Sequence, residues 1–191
     1  MSLAFVLSFV ALAAVSIGPA ISDEPVAVNL DRDPAPEHLL YHELRPGVVQ
    51  AQVRDHCDGV TRTWPLSPRE QKFETLRAVE MDGVTPQPEV FIWATGSRGA
   101  QFLEVVRFDQ RPGECSRPRM LLRFRAPARP RCGRGTTVSA HLVRAAGRTD
   151  GRDVRVRLLA YETCHGHFRV GRRFTRLYRY DVRLDRYIAT G

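Results

Sequence analysis

Along most of the chain apolar residues alternate with polar ones at period two, and Gly, Pro or Asp-Gly interruptions recur about every ten residues. This pattern predicts strands and almost no long helix. The first group of strands covers Val26 to Leu30, His38 to Glu43, Val48 to Asp55 and Val60 to Trp64, with turns at Arg45-Pro46-Gly47 and Asp58-Gly59. A Pro-rich link, Pro65 to Pro68, and a helical turn near Arg69 to Lys72 lead to a second group: Phe73 to Glu80, Val90 to Thr95, Gln101 to Asp109 and Arg119 to Arg125. After the Pro/Arg/Gly segment Ala126 to Gly135 comes a third: Thr137 to Ala145, Asp153 to Tyr161, Arg173 to Asp181 and a last strand near Tyr187.

The groups repeat one another. Pro36-Glu37 followed by His38-Leu39-Leu40-Tyr41 recurs as Pro88-Glu89 followed by Val90-Phe91-Ile92-Trp93, a step of 88 − 36 = 52 residues. In both copies an acidic turn feeds an apolar strand, then a second strand, then a cysteine, Cys57 or Cys115. In the third group Leu177-Tyr178-Arg179-Tyr180-Asp181 echoes Val105-Val106-Arg107-Phe108-Asp109. The expectation is an all-β chain of about three four-stranded antiparallel blade-like repeats, propeller-like or barrel-like, at about 25–66, 73–125 and 136–189. Closed propellers typically need four to eight blades, so three units must cap their exposed edges, form a compact or open structure, or associate.

The turn before each second strand resembles the loop of FG-GAP (VCBS-like) repeats, the blades of integrin-type propellers. In that family the loop reads Asp-x-Asp-x-Asp-Gly-x-x-Asp and holds calcium. The first copy, Asn29-Leu30-Asp31-Arg32-Asp33-Pro34-Ala35-Pro36-Glu37, matches with Asn29 and Glu37 as chemical stand-ins at the first and ninth places. The resemblance therefore implies a metal site at Asn29, Asp31, Asp33 and Glu37. Alternate carboxylates on a tight turn converge on a hard cation, which takes six to eight oxygens at roughly 2.3 to 2.6 Å. Pro34 departs from the pattern, because its fixed φ excludes the positive φ that glycine offers there. The second copy keeps Glu80, Asp82 and Gly83 but has Val84 at the fifth place. The third keeps only Asp150-Gly151 and Asp153, with Ala146 and Arg148 at earlier ligand places.

Residues 1–20 read as a signal peptide, with an apolar run from Leu3 to Val15, then Gly18-Pro19-Ala20, and a cut after Ala20 or Ser22. The run is shorter than the ~20 residues of a spanning helix, and no later segment is apolar enough to span. The expectation is thus a secreted or periplasmic protein whose mature part, 21–191, is a single domain with no membrane span. In an oxidising compartment Cys57, Cys115, Cys132 and Cys164 pair as two disulfides. Their equivalent places favour Cys57 with Cys115 and Cys132 with Cys164, and the rival links Cys115 with Cys132.

Charge is uneven over the 191 residues, which carry a net +8. Residues 21 to 58 hold eight acids against Arg32, Arg45 and Arg54, whereas from Arg107 onward 21 arginines face seven acids. The tract Arg111 to Arg134, with eight arginines against Glu114, is a candidate surface for a polyanion such as nucleic acid, acidic glycan or anionic lipid. Since 28 arginines accompany the single Lys72, a GC-rich codon bias on solvated strand faces is the plainer reading of the same excess.

Other chemistry is sparse. Cys164-His165-Gly166-His167 with His56-Cys57 offers thiolate and imidazole ligands, but not at a recognised zinc spacing. There is no Gly-x-Ser-x-Gly elbow, His-Glu-x-x-His helix or phosphate-cradling Gly-rich loop. The chain is therefore expected to be a non-enzymatic repeat protein without a cofactor other than calcium, binding an unknown protein or glycan partner or serving a structural role. Trp64, Trp93, Tyr178 and Tyr180, on alternating strands, are read as packing residues.

Overall fold

The structure, a computed structural model, describes residues 25–31, 33–66, 72–95, 101–110, 114–126, 133–147, 151–164 and 167–190. The proposed leader lies outside the described residues, as does most of the segment foreseen as a helical turn. Its last residue, Lys72, instead opens a strand.

Twelve strands form three four-stranded antiparallel sheets, each a simple meander. The first sheet holds β1 (Val26–Val28), β2 (Glu37–Arg45), β3 (Val48–Cys57) and β4 (Val60–Pro65). The second holds β5 (Lys72–Val79), β6 (Glu89–Thr95), β7 (Gln101–Asp109) and β8 (Arg117–Ala126), and the third β9 (Gly133–Arg144), β10 (Arg152–Cys164), β11 (His167–Asp181) and β12 (Arg186–Thr190). The period-two pattern thus resolves into blade-like repeats. The sheets do not close into a barrel; they stack as an open pile of three. Among the described residues no helix is long and apolar enough to cross a membrane.

Turn chemistry sets the hairpins. Asp58 and Gly59 both have positive φ, 54° and 73°, as a two-residue turn matched to the twist of β3 and β4 requires. Gly47, at φ 73°, closes the β2–β3 hairpin in the same left-handed region.

Side-chain alternation explains the stacking order. In β6 nearly every residue is buried: Val90, Ile92 and Ala94 pack with Leu39, Ala51, Val53 and Leu66 of the first unit. The intervening Phe91 joins Leu103 and Val105 against Val154, Val156 and Tyr178 of the third. The second sheet is therefore apolar on both faces and central. Trp64, Trp93, Tyr178 and Tyr180 all belong to these two cores. Each outer sheet buries one face only. On the free face of the first sheet lie His38, His42 and Arg54, all exposed, with Gln52 beside Leu40. On that of the third, Arg155 and Arg157 are exposed between the buried Val154, Val156 and Leu158. Polar outer faces end the pile in the way that terminal caps end other repeat arrays.

Candidate cation site

The repeat deduced from Pro36-Glu37 and Pro88-Glu89 recurs in the strand register of the turns, the second turn being one residue longer. Glu37 lies opposite Val28 and Glu89 opposite Val79, and Asp153 stands opposite Val143 in the third sheet. Each glutamate reaches back across its turn: the Leu30 N–H donates to Glu37 Oε2, and the Met81 N–H donates to Glu89 Oε2 at 2.8 Å. A buried carboxylate thereby satisfies a backbone donor that the strand ladder cannot reach.

The first loop turns without glycine. Asp31 Oδ1 accepts from the Asp33 N–H and Asp33 Oδ1 from the Ala35 N–H, both at 2.8 Å, so successive aspartate turns carry the chain through Pro34. Asn29 braces the loop by donating from Nδ2 to the Asp33 carbonyl at 2.8 Å. Of the residues expected as ligands, Asp31, Asp33 and Glu37 are brought together, and Asp55 from β3 joins them. One ligating oxygen from each of the four lies within 4.8 Å of every other. Two oxygens around one cation with roughly 2.4 Å bonds can stand no farther apart than this limit.

Three of these carboxylates are deeply buried, with Asp31 2 %, Glu37 0 % and Asp55 1 % exposed. Asp31 Oδ2, Glu37 Oε1 and Asp55 Oδ1 have no hydrogen-bond partner among the described residues. The other Asp55 oxygen accepts from Ser116 Oγ at 3.1 Å. Ser116 adjoins Cys115, which is disulfide-bonded to Cys57, so the bridge holds β3 and the strand entry of β8 around Asp55. Burial, with repulsion from Asp31 and Asp55, outweighs the Leu30 N–H and pushes Glu37 up to about 7. Burial and the neighbouring Asp31 and Asp33 likewise raise Asp55, although Ser116 and Arg62 oppose the shift. Among the described residues no guanidinium or ammonium forms an ion pair with these buried acids, and Arg62 only partly offsets the shift of Asp55.

The second loop shows what compensation looks like. By strand register Asp82 corresponds to Asp31, Glu89 to Glu37 and Val84 to Asp33. Arg107 corresponds to Asp55, each standing eighteen residues after its glutamate (55 − 37 = 18; 107 − 89 = 18). Arg107 Nη1 donates to Asp82 Oδ2 at 2.9 Å, filling the place that stays empty on Asp31. Its other nitrogens reach Asp109 and Asp185, and Nη1 also meets the Tyr180 hydroxyl. Burial opposes the guanidinium's charge, but Tyr180, Asp109 and Asp185 more than offset it and raise its pKa. In the third unit Arg179 takes the same register position and pairs with Asp153 at 3.4 Å. The second copy thus carries a buried arginine at this position and the third an exposed one, and the first carries a fourth acid instead.

Glu89 completes the contrast. Burial first, then repulsion from Asp82, push it up to about 9, which favours its neutral form beside Asp82. Burial alone would raise Asp82, yet the N–H groups of Thr85 and Val84 and the Glu89 hydroxyl hold it below the ordinary range. Folding therefore takes up a proton at Glu89: its contribution is fully present below the ordinary carboxylate value of 4.5 and is lost as pH rises toward about 9. Glu89→Gln, a neutral isostere, is expected to outlast the wild type in urea by a margin that grows from about pH 5 to about pH 8, at most about 1.4 kcal/mol per pH unit. Parallel pH profiles of the two proteins would contradict a neutral Glu89.

Asp55 is the ligand that the motif misses, because it arrives from the neighbouring strand and not from the loop. Its signal was the eighteen-residue spacing shared with Arg107. His56 Nδ1 lies 3.2 Å from Thr61 Oγ1, and Cys57 is in the disulfide, so neither joins a histidine–cysteine site. Cys132 and His165 lie outside the described residues, as do the side chains of Cys164 and His167. The second expected disulfide is therefore not addressed. In the tract Arg111 to Arg134 the described arginines are largely engaged. Arg119 pairs with Asp109 and Asp185, Arg123 pairs with the buried Glu104, and Arg125 stacks over Phe102 at 5.0 Å. Compared with family models, with curated proteins and with solved structures, the chain matches none of them.

Proposed function

We propose that the chain is an exported, non-enzymatic β-repeat protein of FG-GAP-like design that holds a calcium ion in its first loop. The rigid stack so formed presents its faces to a protein or glycan partner. The observation that carries the cation is the convergence of unpartnered, buried oxygens from Asp31, Glu37 and Asp55, at the place where the second unit puts a guanidinium. An all-oxygen donor set without histidine or thiolate suits a hard cation, and an excess of carboxylates favours calcium over a neutral occupant. Asp31, Asp33, Glu37 and Asp55 would hold the ion, which supplies fixed positive charge and no redox chemistry. Because it joins the loop to β3, its role is to lock the first sheet.

Calorimetry and thermal melts of the mature protein test this reading. A hundredfold excess of calcium over Kd should stabilise the fold by about 2.7 kcal/mol, roughly 5 to 10 °C in Tm. Asp55→Asn should weaken that response. Asp55→Arg, which copies the second unit, should abolish it while raising Tm in chelator above that of the wild type. Absence of both binding heat and Tm shift at millimolar calcium removes the proposal.

A further inference from the structure

We propose that the outer face of the third sheet is a docking surface for a linear acidic glycan. The proposal rests on the partner-binding reading and is independent of the cation. Strand register puts Arg155, Arg157, Arg173 and Arg179 on this face, with Arg186 beside them on β12, and all five are exposed. Arg155 and Arg157 are two residues apart on β10, roughly 7 Å, Arg173 and Arg179 are six apart on β11, and adjacent strands lie about 4.8 Å apart, so the charges spread over three strands and not along a single row. The described acids on this face are already committed. Asp153 is buried and paired with Arg179, and Asp181 Oδ1 accepts the N–H groups of Arg183 and Leu184.

Capping alone does not account for this grid. Arg155 and Arg157 occupy the register positions of Phe91 and Trp93 in the second sheet, where the next sheet packs. At the opposite end of the pile the first sheet is capped with histidine, glutamine and threonine, and Arg54 is the one arginine at the positions facing His38, Leu40 and His42. A face with a single arginine therefore suffices to end the stack. The same comparison answers codon bias, which would act on both ends alike.

The chemistry of the face selects among anionic polymers. Its described residues include no Phe, Tyr or Trp: the intervening positions are Ser139, His141 and Val143 on β9, Thr175 and Leu177 on β11, and Ile188 and Thr190 on β12. Binding of single-stranded nucleic acid relies on aromatic platforms for the bases, and reading of a duplex on an element that enters a groove. A flat arginine grid offers neither. It offers paired N–H donors to sulfate and carboxylate groups arrayed along a chain.

The test is binding of the mature protein to heparin, as the probe polymer, at about 50 mM salt and upward. Arg155→Ser with Arg157→Ser is set against Arg45→Ser with Arg117→Ser, which removes equal charge from other exposed positions. Circular dichroism controls for folding. The first pair is expected to weaken binding roughly tenfold and the second no more than about twofold. Equal losses, no retention of the wild type at low salt, or tighter binding of duplex DNA than of heparin would each overturn the proposal. Asp55→Asn should leave heparin binding unchanged, so failure of the calcium reading and failure of this one are separable.

Discussion

Arg107→Ala should be the most damaging single substitution in the described chain, lowering stability by about 3 to 5 kcal/mol. The guanidinium is 7 % exposed and sits between two sheets, with Asp82 and Asp109 on one side and Tyr180 and Asp185 on the other. Removing it leaves Asp82, itself fully buried, with an uncompensated charge, and leaves Arg119 alone to tie Asp185 in the β11–β12 turn to the second sheet. With a typical domain stable by only 5 to 15 kcal/mol, that loss is readable as a large fall in urea midpoint. Arg107→Met with Asp82→Asn should recover part of it, because no unpaired carboxylate then remains at that position. A loss under about 1 kcal/mol for Arg107→Ala would mean that water replaces the guanidinium and that the arginine does not bridge the sheets.

Opening the Cys57–Cys115 bridge by replacing both cysteines with serine is expected to lower stability by a comparable amount. The bridge spans 58 residues of sequence, and a loop of that length corresponds to roughly 4 kcal/mol of unfolded-state entropy. It also positions Ser116 against Asp55, so the same variant should bind calcium less tightly than the wild type. Arg107→Ala, in β7 beside the second loop, should not. Denaturant unfolding and calcium titration of the two variants side by side check both statements. An unchanged urea midpoint in the serine variant would show that β3 and β8 are held together without the bridge.

Much of the architecture was legible because strand pairing, unlike helix packing, writes itself as alternation. The foreseen strands at 48–55, 60–64, 90–95 and 101–109 agree with the observed ones within two residues at either end. The turn at Asp58-Gly59 and the pairing of Cys57 with Cys115 are also as expected. What alternation does not state is which face meets which sheet. That follows from comparing copies: β6 is apolar at every position from Val90 to Ile92, whereas β10 alternates valine with arginine. The candidate site was legible in part for a related reason. A loop motif contains the ligands that are neighbours in sequence, Asp31, Asp33 and Glu37, but a hairpin returns Asp55 to the same place. Only the step from Asp55 to Arg107 to Arg179 reveals that the position carries charge in every copy. Composition points to the tract with the highest arginine density, 111–134, but does not show that several of its arginines are engaged by Asp109, Glu104 and Phe102.

The central sheet has a consequence for how this sequence can change. A strand buried on both faces has no position at which a polar residue is neutral, whereas the outer sheets keep one permissive side. Drift should therefore accumulate on the two ends and spare the middle unit. Lengthening of the chain by duplication is likewise directional: a unit added beyond Arg155 and Arg157 meets charge, while a second copy of the middle unit placed inside the pile meets apolar surface on both sides.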